Sequence, residues 1–253
     1  MSTLTISQKI LKANGVEDVS PGAFGLARCD LVLLNEVSGA VATRSFERMG
    51  ATKVFDPERV ALVLDHFVPA KDVKSAQLAA NLRDFAKKYG IDNLWEVGAT
   101  EDAGIEHTLL PELGFIRPGD FIPGGDSHTC TYGAFGALGT GMGSTDIAAA
   151  MALGEVWVRV PHSIRVLYRG SAGPFVTGKD LILAYLGRSG ASGAMICVSD
   201  VAYGSTSYST SMAAAASSAW SSVSAATIAT ISPWKNSSSG SGYVFGAFCG
   251  VRI

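Results

Sequence analysis

The sequence predicts an α/β fold in three layers, with helices on both faces of a mostly parallel sheet, and three observations carry the prediction. Helix-period and strand-period segments alternate through the first 188 residues. The strand segments are near-continuous apolar runs, Val60-Ala61-Leu62-Val63-Leu64 being the clearest, which suits burial on both faces. With 253 residues, 47% of them hydrophobic, the chain is long enough to bury a full core.

The elements follow in order. Ile6 to Lys12 has helical periodicity, Asp30 to Leu34 reads as extended, and Val41 to Met49 is helical again. Val60 to Leu64 is a buried strand, and Val73 to Tyr89 is a helix with Leu78, Leu82 and Phe85 on one face. Strands near Asn93 to Val97, Asp120 to Pro123 and Ile164 to Tyr168 interleave with helices near Ile105 to Leu113, Ser144 to Leu153 and Gly178 to Leu186. Between them, Gly133 to Gly143 reads as a glycine-dense loop running into a helix start, where the backbone can approach a ligand or make a tight turn.

A seam lies near residue 188. Of 20 Lys/Arg and 22 Asp/Glu, only Asp200, Lys235 and Arg252 lie beyond it. Serine rises from 10 in the first 188 residues to 17 in the 54 residues from Ser189 to Gly242. The chain therefore divides into an α/β region, 1–188, and an atypical Ser/Ala-rich tail, 189–253, with a short helix at Met212 to Ala219 and a strand at Tyr243 to Cys249 as its expected elements. Little in that tail can be buried, so a shifted reading frame is expected over a separate domain.

A net charge of −2 and a sequence pI near 6.1 give no electrostatic footprint for nucleic acid or an anionic membrane. Neither a signal peptide nor a spanning helix is readable, so a cytoplasmic protein is expected. The four cysteines, Cys29, Cys130, Cys197 and Cys249, contain no Cys-x-x-Cys pair; they read as single thiols, with neither a disulfide framework nor a zinc site.

The densest chemistry is Asp126-Ser127-His128-Thr129-Cys130-Thr131: an acid, three hydroxyls, an imidazole and a thiol in six consecutive positions after an apolar strand. In open α/β sheets, function gathers at the carboxyl ends of strands. Asp65-His66 follows the strand Val60 to Leu64, and His107 sits at a helix start. A carboxylate beside an imidazole fixes its tautomer and favours its cation, which suits a proton donor. Asp65 and His66 are sequence neighbours whose side chains need not touch in an extended segment, so His66 pairs either with Asp65 or across strand ends with Asp126. His162 sits in an ordinary surface turn. Ser38 reads equally as the cap of the helix that follows it.

Asp65-His66-Phe67-Val68-Pro69, Gly104-Ile105-Glu106-His107-Thr108-Leu109-Leu110-Pro111-Glu112 and the stretch Gly125 to Asp146, taken with Val160-Pro161 and Gly178-Lys179-Asp180, resemble the aconitase superfamily. Within it the likeness is to the branch of 3-isopropylmalate dehydratase and homoaconitase large subunits, and it covers residues 1 to about 188. The resemblance implies an aconitase-like α/β/α fold and a hydro-lyase of leucine or lysine biosynthesis that isomerises a 2- or 3-hydroxy acid through an alkene. It also implies a [4Fe–4S] cluster and a small-subunit partner that supplies the catalytic base. Asp65 and His66 would form the acid that protonates the leaving hydroxyl, while Asp126, Ser127 and His128 would line the pocket with His107. Thr129 and Asn35, from a turn resembling the family's acidic turn Asn35-Glu36, would meet substrate.

The departure from the family concerns thiols. Members carry one cluster cysteine in a Ser/Thr-Cys-Thr context and two in a Cys-x-x-Cys pair from their second half, and neither context is found around Cys197 or Cys249. Cys130 does not correspond to a cluster cysteine. No metal ligand is therefore assigned, and this chain is expected neither to bind the cluster nor to act alone. The alternative is a non-catalytic binding or assembly module that keeps the fold. A mononuclear metal held by His66, His107 and His128 is the least favoured reading, because the spacing is not that of a known short metal motif.

Overall fold

The computed structural model describes residues 4–168, 174–189, 197–203, 211–212, 233–235 and 241–243. The chain runs α1 (Ile6–Ala13), β1 (Phe24–Arg28), β2 (Val32–Asn35), α2 (Glu36–Arg48), β3 (Val60–Leu64), α3 (Val73–Tyr89), β4 (Leu94–Glu96) and α4 (Glu106–Glu112). It continues through β5 (Phe121–Gly124), a 3₁₀ stretch (Thr129–Phe135), β6 (Leu138–Gly141), α5 (Ser144–Leu153), β7 (Glu155–Arg159), β8 (His162–Tyr168), α6 (Gly178–Ser189) and β9 (Cys197–Tyr203). The sequence-based elements through residue 188 fall on these with small shifts of boundary. The tail helix expected at Met212 to Ala219 and the strand at Tyr243 to Cys249 lie almost wholly outside the described residues.

The central sheet has the order β4-β3-β2-β5-β6, every neighbouring pair parallel. Its two faces are separated by strand periodicity. Val32, Leu34, Val60, Leu62, Leu64 and Phe121 point into one core, shared with Phe46 of α2, Leu82 and Phe85 of α3, and Ile147 and Met151 of α5. Leu33, Ala61, Val63 and Ile122 point into the other, covered by Leu109 and Leu110 of α4 and by Tyr132 of the 3₁₀ stretch. This is the three-layer α/β/α arrangement, and it explains why the strands carry no polar alternation.

The order β4-β3-β2-β5-β6 reverses direction at one place. From β2 the chain winds through β3 to β4, then returns to the other side of β2 with β5 and continues to β6. Between β2 and β5, joined in register only at Leu33 and Gly124, lies the topological switch point, where the connections leaving the carboxyl ends diverge and open a crevice.

Three features depart from the sequence reading. Helix α2 begins at Glu36 rather than near Val41, because Asn35 is its N-cap: the Asn35 side chain accepts from the N–H groups of Val37 and Ser38. Ser38 completes the capping box from the third helical position and is not itself the cap. The glycine-dense stretch is not one loop but contains β6, a fully buried strand paired with β5. β1 and β7, absent from the sequence reading, form an antiparallel pair of their own.

Gly39, which in the sequence resembles punctuation, is buried inside α2. A Cβ there would lie 2.8 Å from Cδ1 of Leu82, so its absence lets α2 and α3 approach closely. The obstructing atom is the tip of a side chain that can rotate. Gly39→Ala is therefore expected to cost only about 1 kcal/mol, an overpacking penalty of about 2 offset by about 1 of helix propensity. Urea unfolding midpoints check this, and a loss above about 3 kcal/mol would show that Leu82 cannot yield.

Candidate active site

Four segments bring side chains to the crevice. β2 ends at Asn35, with Glu36 opening α2. β3 ends just before Asp65-His66. α4 opens with Glu106-His107, and β5 runs into Gly125-Asp126-Ser127-His128. Because β2, β3 and β5 are parallel neighbours, their carboxyl ends coincide, and residues 35, 65 and 126 meet from distant parts of the chain.

Asp126 is the centre. Its Oδ2 accepts from Nε2 of His107 at 3.0 Å, from Nδ1 of His128 at 3.0 Å and from the His128 backbone N–H at 2.5 Å. Its Oδ1 lies 3.6 Å from Nε2 of His66. Burial alone would raise the Asp126 carboxyl, but hydrogen bonds from His107, His128 and His66 outweigh it and hold the group far below the usual carboxylate range. His66 bridges two carboxylates, since its Nδ1 is 2.6 Å from Oδ1 of Asp65. Asp126 and Asp65 together push the imidazole up to about 11, against the opposing effect of burial. His128 is likewise raised, chiefly by its bond to Asp126. Both imidazoles are half-exposed while the carboxylates beneath them are nearly covered.

Two carboxylates lie deeper. Glu36 is 1% exposed, and its Oε2 and Oε1 accept from the backbone N–H groups of Asp65 and Phe67. Glu106 is fully buried; its Oε1 lies 3.3 Å from Nδ2 of Asn35 and 3.3 Å from Nε2 of His107. Burial, reinforced by the charges of Asp65 and Asp126, raises its carboxyl well above the usual range. The Glu106 backbone is tied down as well: its N–H donates to Oδ2 of Asp65 at 2.7 Å, and its C=O accepts from the Tyr132 hydroxyl at 3.0 Å.

The structure thus brings together Asn35, Asp65, His66, His107, Asp126 and His128. Asn35 is buried, and its Nδ2 reaches Glu106 as well as Nε2 of His66 at 3.5 Å. The two alternatives for His66 are both realised: the backbone after β3 leaves the extended form, so Asp65 reaches Nδ1 while Asp126 faces Nε2. Ser127 is exposed beside these groups. Thr129 is buried, with its hydroxyl donated to the Asp126 carbonyl at 2.7 Å, and it buttresses the motif from behind. His162 is exposed at the start of β8.

Glu36, expected only as part of the turn Asn35-Glu36, and Glu106, quoted only within its motif, have no role of their own in the sequence reading. The signals available were their positions, Glu36 directly after the N-cap of α2 and Glu106 directly before His107.

The glycines around the motif make room for it. A Cβ on Gly124 would run into the Thr129 side chain, and one on Gly125 into Ser38. One on Gly139 would meet the Thr129 carbonyl, and one on Gly141 would come within 2.7 Å of the Asp126 carbonyl.

His107, Asp126 and His128 present donor atoms within 4.8 Å of one another, the spacing a metal ion would need, but those atoms already pair among themselves. His66, His107 and His128 do not share one such group, because Asp126 stands where their nitrogens converge. A [4Fe–4S] cluster asks for converging thiolates. Cys29 is buried before the amino end of β2, opposite the crevice, and burial pushes its thiol up to about 12. Cys130 is buried with its Sγ 3.8 Å from the Ser127 carbonyl. Among the described residues no cysteine joins a group of three metal-ligating side chains, so the residues described do not fit the cluster.

A family model described as the aconitase family (aconitate hydratase) matches residues 8–233. The chain is 54% identical over 192 residues to the 3-isopropylmalate dehydratase large subunit of Moorella thermoacetica, covering 76% of this chain and 45% of that protein. It is 53% identical over 193 residues to the corresponding protein of Aquifex aeolicus, covering 76% of this chain and 44% of the relative. To 3-isopropylmalate dehydratase large subunit 1 of Pyrococcus furiosus it is 50% identical over 196 residues, 77% of this chain and 46% of the relative. The chain spans a little under half the length of these relatives. Among the described residues, no helix is long and apolar enough to cross a membrane.

Proposed function

Because the chain belongs to the aconitase family, we propose that it forms the proton-donating wall of a hydro-lyase large subunit. The substrate is a 2- or 3-hydroxy dicarboxylic or tricarboxylic acid of the isopropylmalate type, and the pathway is leucine or lysine biosynthesis. The observation that carries this reading is His66, an imidazolium held between Asp65 and Asp126 and half-exposed at the crevice.

The two nitrogens of His66 are held unequally. Nδ1 is gripped by Asp65 at 2.6 Å, while Nε2–H faces the Asp126 carboxylate at 3.6 Å, and the Asn35 amide nitrogen at 3.5 Å, itself a donor, cannot accept its proton. The proton on Nε2 is therefore the transferable one. As the carbon–oxygen bond of the substrate breaks, the oxygen keeps the bonding pair and takes this proton, leaving as water. His66 is left neutral, its Nδ1–H still donated to Asp65, with a bare Nε2 that can take a proton back on rehydration. His128, half-exposed and with its charged form favoured by the bond from Nδ1 to Asp126, presents its other edge to a substrate carboxylate. The base that removes the proton from the neighbouring carbon is assigned to a small-subunit partner.

The cluster enters no step of this account, since the described residues do not fit it. We propose further that this chain alone neither holds a complete cluster nor turns over, because its four cysteines include no Cys-x-x-Cys pair. The test is anaerobic reconstitution with iron and sulfide, followed by metal analysis, an isopropylmalate turnover assay and titration with isopropylmalate watched through the histidine resonances. Binding that perturbs His66 and His128 without a stoichiometric cluster or turnover is the expected result. A cluster with turnover would overturn the inactivity. No perturbation at either histidine would overturn the site and favour a non-catalytic assembly module.

A further inference from the structure

Glu36 is a buried carboxylate that no step above uses. It opens α2, where the aligned N–H groups of the first turn favour negative charge. Its two oxygens point away from its own helix. Oε2 accepts from the N–H of Asp65 at 3.2 Å, and Oε1 accepts from the N–H of Phe67. The residue between those two amides is His66.

We propose that Glu36 is a positioning residue for His66, gripping the backbone on both sides of it so that the imidazole stands between Asp65 and Asp126. Strand pairing explains how it reaches. Asn35 is in register with Val63 of the neighbouring strand, so the residue after Asn35 lies beside the turn that leaves β3. Asp65-His66-Phe67 follows β3 and lies outside the sheet ladder. Without Glu36 the amides of Asp65 and Phe67 would lose their acceptors, and the segment would be free to relax toward an extended form in which adjacent side chains diverge. The effect reaches Asp65 too, whose Oδ2 also receives the N–H of Glu106. Glu36 thus holds the acid from beneath without touching the imidazole in a hydrogen bond.

This inference rests on the reading of His66 as the proton donor, but its test needs neither ligand nor turnover and can fail separately. Two variants of the full chain divide position from charge. Glu36→Gln keeps size but turns an NH2 toward one of the two N–H donors; Glu36→Asp keeps charge but is too short to span both. The measurement is the pH titration of the imidazoles by proton–nitrogen NMR with labelled histidine. In both variants the His66 midpoint is expected to fall by at least about one pH unit, while His128, bonded to Asp126, stays within about 0.3 of a unit. A His66 midpoint unchanged from that of the native chain in either variant would overturn the proposal, since an unchanged Asp variant would make Glu36 a mere charge neighbour. A joint fall of His66 and His128 would also overturn it, by showing general loosening.

Discussion

Replacing Asp126 by asparagine is expected to cost about 3 kcal/mol of stability near pH 6 and to return His128 to an ordinary imidazole midpoint near 6.5. The carboxylate is the shared acceptor of His107 and His128 and faces His66, and its side chain is only 11% exposed. An amide offers one oxygen in place of two and sets N–H against N–H. His66 keeps Asp65 and so falls part of the way from about 11.

The pH dependence has a definite sign. His66 and His128 are raised in the folded chain, so their contribution is complete below their unfolded value of about 6.5 and fades as pH climbs toward the folded values. Asp126 is lowered, so its contribution is present above about pH 4 and is lost only in strong acid. The gap between wild type and Asp126→Asn is thus widest between about pH 4 and 6.5 and narrows toward alkaline pH. Urea midpoints across that range measure it. A gap independent of pH would mean that His66 and His128 do not draw their charge from Asp126.

Gly139→Ala carries the second large effect, a loss of more than about 3 kcal/mol, in contrast to the mild cost at Gly39. The added methyl at residue 139 would strike the Thr129 carbonyl, with the carbonyl carbon at 3.1 Å and Cβ of Tyr132 at 3.3 Å. No rotamer relieves a collision with backbone. β6 is locked to β5 through the pairing of Ile122 with Gly139, and the Thr129 segment is held by the Asp126 carbonyl, so neither side can retreat alone. Thr129 and Tyr132 would move together, and Tyr132 carries the Glu106 carbonyl with it. The variant should therefore disturb the His107 and His128 resonances as well as the unfolding midpoint. Unperturbed histidines with a near-normal midpoint would show that β6 and the motif are not packed as described.

Much of this was legible because apolar strands buried on both faces leave an unambiguous pattern. β3 and α3 matched their sequence limits for that reason. β6 did not, because Leu138-Gly139-Thr140-Gly141 has one large apolar residue, and its burial comes from backbone packed against backbone. β1 and β7 escaped because their exposed Phe24 and Trp157 and charged Arg28, Glu155 and Arg159 match neither template. In the site, histidines and aspartates after strands stood out as chemistry. Glu36 and Glu106 did not, since an acidic residue at a helix start is ordinarily solvated, and their burial depends on amides and side chains from segments remote in sequence. For His66 the two candidate partners, Asp65 and Asp126, were legible, but not that it meets both at once, which depends on a turn after β3 that periodicity cannot describe.

β2 and α2 share a boundary with no residue between them, Asn35 ending the strand and Glu36 opening the helix. A junction of zero length cannot be lengthened or shortened by a single residue without rotating the whole of α2 by about 100° about its axis. Insertions and deletions, the ordinary means by which α/β proteins diversify their crevices, are closed to this edge. Any reshaping of the crevice has to come through the longer connections that follow β3 and β5, which makes those two loops the sensible targets for engineered libraries and the Asn35–Glu36 junction the part to leave alone.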